Sequence, residues 1–185
     1  IMIDNNSSVF KMSGGTLEAT GGRSNVIENN GTFQLSGGTI TTKSTTNGTG
    51  FMQLWGTTTI GDQGVLDVDK LQVSNGGTIT IEEGGKITTG GTQIESGSLI
   101  NKGEFVSNGA FEMDDSSGTF TNEGKISGNG SVPDSAKLPP KGMVSYDRTV
   151  FAGYDGSIID VETLAKVVKS MEAGPLQYSL VDYEE

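Results

Sequence analysis

The phrase Phe10-Lys-Met-Ser-Gly-Gly-Thr-Leu17 returns as Phe33-Gln-Leu-Ser-Gly-Gly-Thr-Ile40, an offset of 23 from position 10 to position 33. Farther on, Ile100-Asn-Lys-Gly-Glu-Phe-Val-Ser-Asn-Gly-Ala-Phe111 aligns with Thr121-Asn-Glu-Gly-Lys-Ile-Ser-Gly-Asn-Gly-Ser-Val132, an offset of 21 from position 100 to position 121. Self-similarity at this period points to a solenoid, in which one coil cannot bury its apolar face alone and must stack on the next. The segments between glycines at 9–13, 16–20, 32–36, 39–42, 78–82 and 86–89 alternate apolar and polar residues and are rich in Thr, Ile, Leu, Val and Phe. Alternation with period two, bounded by Gly-Gly and Asn-Gly, is the signature of short strands and tight turns. Glycine recurs too often over residues 9–132 to propagate a helix.

These features predict an all-β chain: a right-handed parallel β-solenoid, or β-helix, of about six coils over residues 1–132. The alignments place Phe10 over Phe33, Met12 over Leu35, Leu17 over Ile40, Phe105 over Ile126 and Phe111 over Val132. Asn101 over Asn122 and Asn108 over Asn129 are expected to form amide ladders. The repeat drifts between residues 43 and 75, where an extended corner loop is expected at 44–50. With 32% hydrophobic residues, the chain suits a thin core repeated along an axis better than a large globular one.

All four prolines lie at or after Pro133, and 25 of the 29 glycines lie before it. Residues 133–141 contain Pro139-Pro140 and read as a stiff linker. Residues 142–185 then read as a small β module, with Tyr154-Asp-Gly-Ser-Ile-Ile-Asp-Val161 as a turn leading into a strand. Net charge is −11. Residues 1–132 hold 7 basic and 14 acidic groups, residues 133–185 hold 5 and 9. Both regions are acidic, which disfavours nucleic-acid partners and anionic membrane surfaces. No stretch is long and apolar enough to insert into a bilayer as a helix. Cysteine and histidine are absent, which removes disulfides, thiolate and imidazole metal sites, and Ser-His-Asp or Cys-His catalysis. The chain opens on Ile1 and reads as an excised part of a larger chain.

The phrases Ser36-Gly-Gly-Thr-Ile40 and Asn101-Lys-Gly-Glu-Phe105 resemble those of the parallel β-solenoid regions of bacterial surface adhesins and autotransporter-like proteins. Residues 142–185, with Tyr154-Asp-Gly and Gly174-Pro-Leu-Gln-Tyr-Ser-Leu180, resemble the opening half of a bacterial immunoglobulin-like module. The match stops early, so this part is either a truncated module or a small cap on the solenoid. The resemblance implies an extracellular location on the bacterial cell surface and an adhesive or scaffolding role. The partners implied are a host glycan or a matrix or surface protein. Polysaccharide lyases and hydrolases share the parallel β-helix fold, so a carbohydrate-active or sugar-binding protein is the alternative.

The candidate acids for such an enzyme are Asp62, Asp67 and Asp69, and separately Glu112, Asp114 and Asp115, since paired carboxylates divide acid and base roles. The plain reading is a set of solvated charges, and a non-enzyme without cofactor or metal is expected. Asp114 and Asp115 offer hard oxygen ligands, yet an ordinary polar corner is the simpler reading. Trp55, the sole tryptophan, alternates with Phe51 and Gln53 onto one face. Turned outward, Trp55 and Phe51 stack on a sugar or dock a partner; turned inward, they fill the coil, as large aromatics usually do. Trp55, Phe51, Asp114 and Asp115 are therefore the candidate ligand-binding residues. Thr-x-Thr recurs at 39–41, 57–59, 78–80 and 119–121, but its irregular spacing argues against a flat threonine array of the ice-binding kind.

Overall fold

In a computed structural model, the described residues are 1–21, 25–46, 48–114 and 116–133, together with the backbone of 143–146 and 149–152. The chain divides into two compact units, Ile1–Ala136 and Lys137–Glu185. Within the first unit the strands run in coils. Coil one holds β1 (Met2–Ile3) and β2 (Val9–Thr20), coil two β3 (Asn25–Asn29) and β4 (Thr32–Lys43), coil three β5 (Thr49–Gln53) and β6 (Thr57–Val68). Coil four holds β7 (Leu71–Val73), β8 (Thr78–Ile81) and β9 (Lys86–Thr89). Coil five holds β10 (Thr92–Ile94), β11 (Ser98–Asn101) and β12 (Glu104–Ser107), and coil six β13 (Phe111–Met113), β14 (Thr119–Asn122) and β15 (Lys125–Ser127).

All pairing in this unit is parallel, between equivalent strands of successive coils. The first face is the six-stranded sheet β1-β3-β5-β7-β10-β13. The second and third faces share a nine-stranded sheet, because β2, β4 and β6 each span both, while later coils divide the span into two strands. The result is a parallel β-solenoid of about five turns between its first and last levels. At the usual strand spacing that is about 24 Å of axis.

Four of the five expected apolar ladders are present. Phe10 pairs with Phe33, Met12 with Leu35 and Leu17 with Ile40, and Phe105 with Ile126. The Phe10 and Phe33 rings stack with centroids 4.6 Å apart. The Leu17–Ile40 ladder runs on through Leu66, Ile87 and Phe105. Each inward position is thus covered by the coils above and below, so Phe33, Ile40, Leu66, Ile87 and Phe105 are fully buried. Phe111 pairs in the sheet with Thr92; Val132 follows the last strand, and both pack against the core from its edge. Asn101 donates to Asn122 Oδ1 at 2.7 Å, whereas Asn108 and Asn129 are exposed and no ladder joins them.

Three sequence expectations need correction. Gly14-Gly15 and Gly37-Gly38 do not separate strands; β2 and β4 run through them with a bulge. A Cβ on Gly38, at φ +86°, would meet Gly15 O at 2.5 Å, so the bend keeps its coil spacing only with glycine. The loop expected at 44–50 is shorter, because Thr49 and Gly50 already belong to β5. Trp55 and Phe51 do not share a face, because the strand ends at Gln53 and the chain turns before Trp55. The second unit contains the antiparallel pair β16 (Met143–Tyr146) and β17 (Thr149–Ala152). The phrases that carry the immunoglobulin-like resemblance, and most of the proposed linker, lie outside the described residues.

Phe33→Ala should lower stability by about 3–5 kcal/mol, since the cavity has neighbours on every side. Thr59→Ala, outward on the next coil, should change it by less than about 0.5 kcal/mol. Urea unfolding followed by circular dichroism measures both; equal losses would contradict the inward and outward assignment.

A candidate binding notch at one corner

The corner between the first and second faces has a different length in successive coils. Coil one turns through residues 4–8, coil two through Asn30 and Gly31 alone, and coil three through Leu54, Trp55 and Gly56. The short second corner lies recessed between two longer ones. The result is an open concavity lined by Asp4, Asn5, Asn6, Ser7, Asn30, Trp55 and Gly56.

Buried amides hold this corner from inside. Asn29 and Gln53 point inward at equivalent positions and both are fully buried. Asn29 Nδ2 donates to Gln53 Oε1 at 2.9 Å, to Thr58 Oγ1 at 3.1 Å and to Thr57 O at 3.2 Å. Its Oδ1 accepts from the Gly31 amide at 3.0 Å. Gln53 Nε2 donates to Trp55 O, which ties the turn to the interior while its indole faces solvent. Glycine is required twice here. A Cβ on Gly31 would meet Ser8 O at 2.4 Å, and one on Gly56, at φ +70°, would meet Gly31 O at 2.1 Å.

Trp55 is 53% exposed, against the expectation that it fills the coil. Asn30 is 8% exposed. Its amide nitrogen donates to Glu28 Oε1 at 3.4 Å, while its buried Oδ1 has no hydrogen-bond partner. An orphaned buried acceptor costs about 1–3 kcal/mol, so its placement on the wall of a concavity is notable. An exposed indole face ringed by carboxylate, amide and hydroxyl groups suits a ligand with one apolar face and a polar rim. Sequence reasoning singled out Trp55 but not Asn30 or residues 4–7, whose recruitment depends on the unequal corner lengths.

Phe51 is corrected as a ligand-binding candidate: it is fully buried and its ring packs edge-on against Phe33. Asp114 lies at the same corner of coil six, three levels or about 14 Å along the axis from Trp55. Its Oδ1 accepts from Ser116 N at 2.9 Å and Ser116 Oγ at 2.6 Å. Those bonds, the hydroxyl's first, hold its carboxyl below the usual range. It caps an ordinary turn; Asp115 lies outside the described residues. Asp62 is exposed at another corner and Asp67 faces outward from β6. Asp69 accepts from Ser44 N at 2.6 Å and Lys70 N at 3.0 Å, closing a third corner. Glu112 is exposed on β13. Among the described residues no group of three or more acids is placed to hold a metal.

A second surface lies beside the notch. Beyond Val9 and Lys11 of coil one, the outward positions of the second face stack from coil two onward as Thr32, Thr57, Thr78, Ser98 and Thr119, and as Gln34, Thr59, Thr80, Ile100 and Thr121. The irregular sequence spacing of Thr-x-Thr is taken up in the corners, so the pairs at 57–59, 78–80 and 119–121 share one face in register. None of these ten side chains is ionisable. Charges collect instead on the third face, where Glu104 bridges Lys125 at 3.0 Å and Lys86 at 3.3 Å. The Lys125 contact is the main cause of a lowered Glu104 pKa; burial opposes it and Lys86 adds to it.

The chain shows no significant match to any family model, curated protein or solved structure.

Because Glu104 titrates lower in the folded state than its ordinary 4.5, the ion pairs stabilise above that pH and are lost as pH falls through the lowered value. Glu104→Gln should therefore cost about 1 kcal/mol or less at pH 7 and flatten the acid limb of stability against pH, measured by urea midpoints. Asn29→Ala should cost at least about 2 kcal/mol, by stranding the Gly31 amide and taking one donor away from Gln53 Oε1 and Thr58 Oγ1, which stay bonded to each other. It should also loosen the Trp55 turn, read as lower tryptophan fluorescence anisotropy at a temperature where the fold persists.

Proposed function

We propose that residues 1–132 are a non-catalytic, adhesion-type region of an extracellular bacterial surface protein, serving as scaffold and as an extended binding surface. The observation that carries this reading is the second face. It offers five in-register levels of uncharged, mostly hydroxyl-bearing side chains, in a chain of net charge −11, with Trp55 at the adjoining corner. Such a strip suits an elongated, hydroxyl-rich partner such as a host glycan, or an extended segment of a matrix protein. Contact spread over many levels gives avidity without a deep pocket. Residues 142–185 would begin a stalk or linking module of the immunoglobulin-like kind.

A carbohydrate-active β-helix is the second reading, and the notch favours its sugar-binding form. Against catalysis, the candidate carboxylates Asp62, Asp67, Asp69, Glu112 and Asp114 are distributed over separate corners and outward positions.

The test is retention of the purified chain on immobilised glycans and matrix proteins. Thr59→Glu combined with Thr80→Glu, which places charge mid-strip, should reduce retention at least about tenfold. Thr88→Glu on the third face should leave it unchanged. Equal retention of all three proteins would overturn the assignment of the face, and cleavage of a pectin-like polysaccharide would overturn the non-catalytic reading.

A further inference from the structure

We propose that the notch between Asn30 and Trp55 is a site for a neutral hexopyranose of the β-galactoside type, an inference that rests on the adhesive reading above and specifies its ligand. Two independent observations meet there. Trp55 exposes half of its surface at the rim of a concavity whose other lining residues, Gly56 apart, carry polar side chains. Asn30, more than nine-tenths buried, is part of the same concavity, and its covered Oδ1 is an acceptor that no described group satisfies.

A galactopyranose ring matches both features. Its axial O4 leaves the C3, C4 and C5 hydrogens as an unbroken apolar patch on the opposite side, which stacks on an indole face. Its equatorial hydroxyls project from the ring edge as donors. One donates to Asn30 Oδ1, and others meet the Asp4 carboxylate and the Asn5, Asn6 and Ser7 side chains. Oδ1 is covered, so the hydroxyl reaches it as the exposed 4–7 turn gives way. That turn is held by Ser7 N donating to Asn5 Oδ1 at 2.9 Å and Ser8 N donating to Asn5 O at 2.9 Å. The charge of the site selects further. Among the described residues no Lys or Arg lines it and Asp4 does, so uronic acids and sulfated sugars are repelled.

Because Trp55 is the sole tryptophan, fluorescence excited selectively at the indole reports on this notch. Titration with methyl β-D-galactopyranoside should give a saturable blue shift. Methyl β-D-glucuronide should bind at least about tenfold more weakly. By calorimetry or ligand-observed NMR, Trp55→Ala should weaken the galactoside about tenfold or more, and Asn30→Ala by a similar factor. Trp55→Phe should retain most of the affinity. Trp55 is exposed, so its variants keep the fold and the test does not depend on Asn30→Ala alone. No saturable shift, an equal response to the glucuronide, or an equal response to a proline-rich peptide would overturn the proposal. Loss of the fluorescence response with retention on immobilised glycans intact would sink the notch and leave the adhesive reading standing; retention unaffected by second-face charges while the notch still binds galactoside would overturn the second face and leave the notch standing.

Discussion

Parallel pairing of equivalent strands, one coil above the next, is the constraint from which the first unit follows. A coil of about 20 residues has an interior one side chain deep and cannot close a core by itself. Stacking supplies the missing neighbours along the axis. Leu17, Ile40, Leu66, Ile87, Phe105 and Ile126 form one such column. The columns give the interior its dryness, and the backbone ladder leaves the outward side chains free to vary. That is why 32% hydrophobic residues suffice for a continuous core.

At the corner beside the notch, buried polar side chains satisfy the turn. Asn29, Gln53 and Thr58 are buried together because the corner beside them needs donors and acceptors that neighbouring backbone does not provide. The same group fixes the direction of the Trp55 turn. The candidate site is therefore not an addition to the fold. It arises because coil two crosses the corner in two residues while its neighbours take more, and because inward amides hold that difference in place.

The ladders were legible because Phe10 and Phe33 sit in nearly identical phrases, and a period-two pattern admits one inward register. Phe51 and Trp55 part company for a definite reason. Alternation relates side chains only while the strand lasts, and β5 ends at Gln53. The threonine pairs looked irregular because sequence distance counts the corners, whereas pairing does not: Thr59 and Thr80 face outward side by side. Asn30 carries no binding signal in the sequence beyond a chance Asn-Gly-Thr triplet, since its place in the notch comes from a neighbouring coil's longer loop. The glycine pairs at 14–15 and 37–38 read as turns between strands, because a bulge and a corner carry the same residues.

The separation between rungs and corners has a consequence for how such a chain changes over generations. A single-residue insertion inside a rung would invert every later side chain in that strand and be purged. The same insertion at a corner is absorbed where it arises. A lineage can thus reshape the recess beside Trp55 by trading one or two loop residues, while the supporting rod is inherited unaltered.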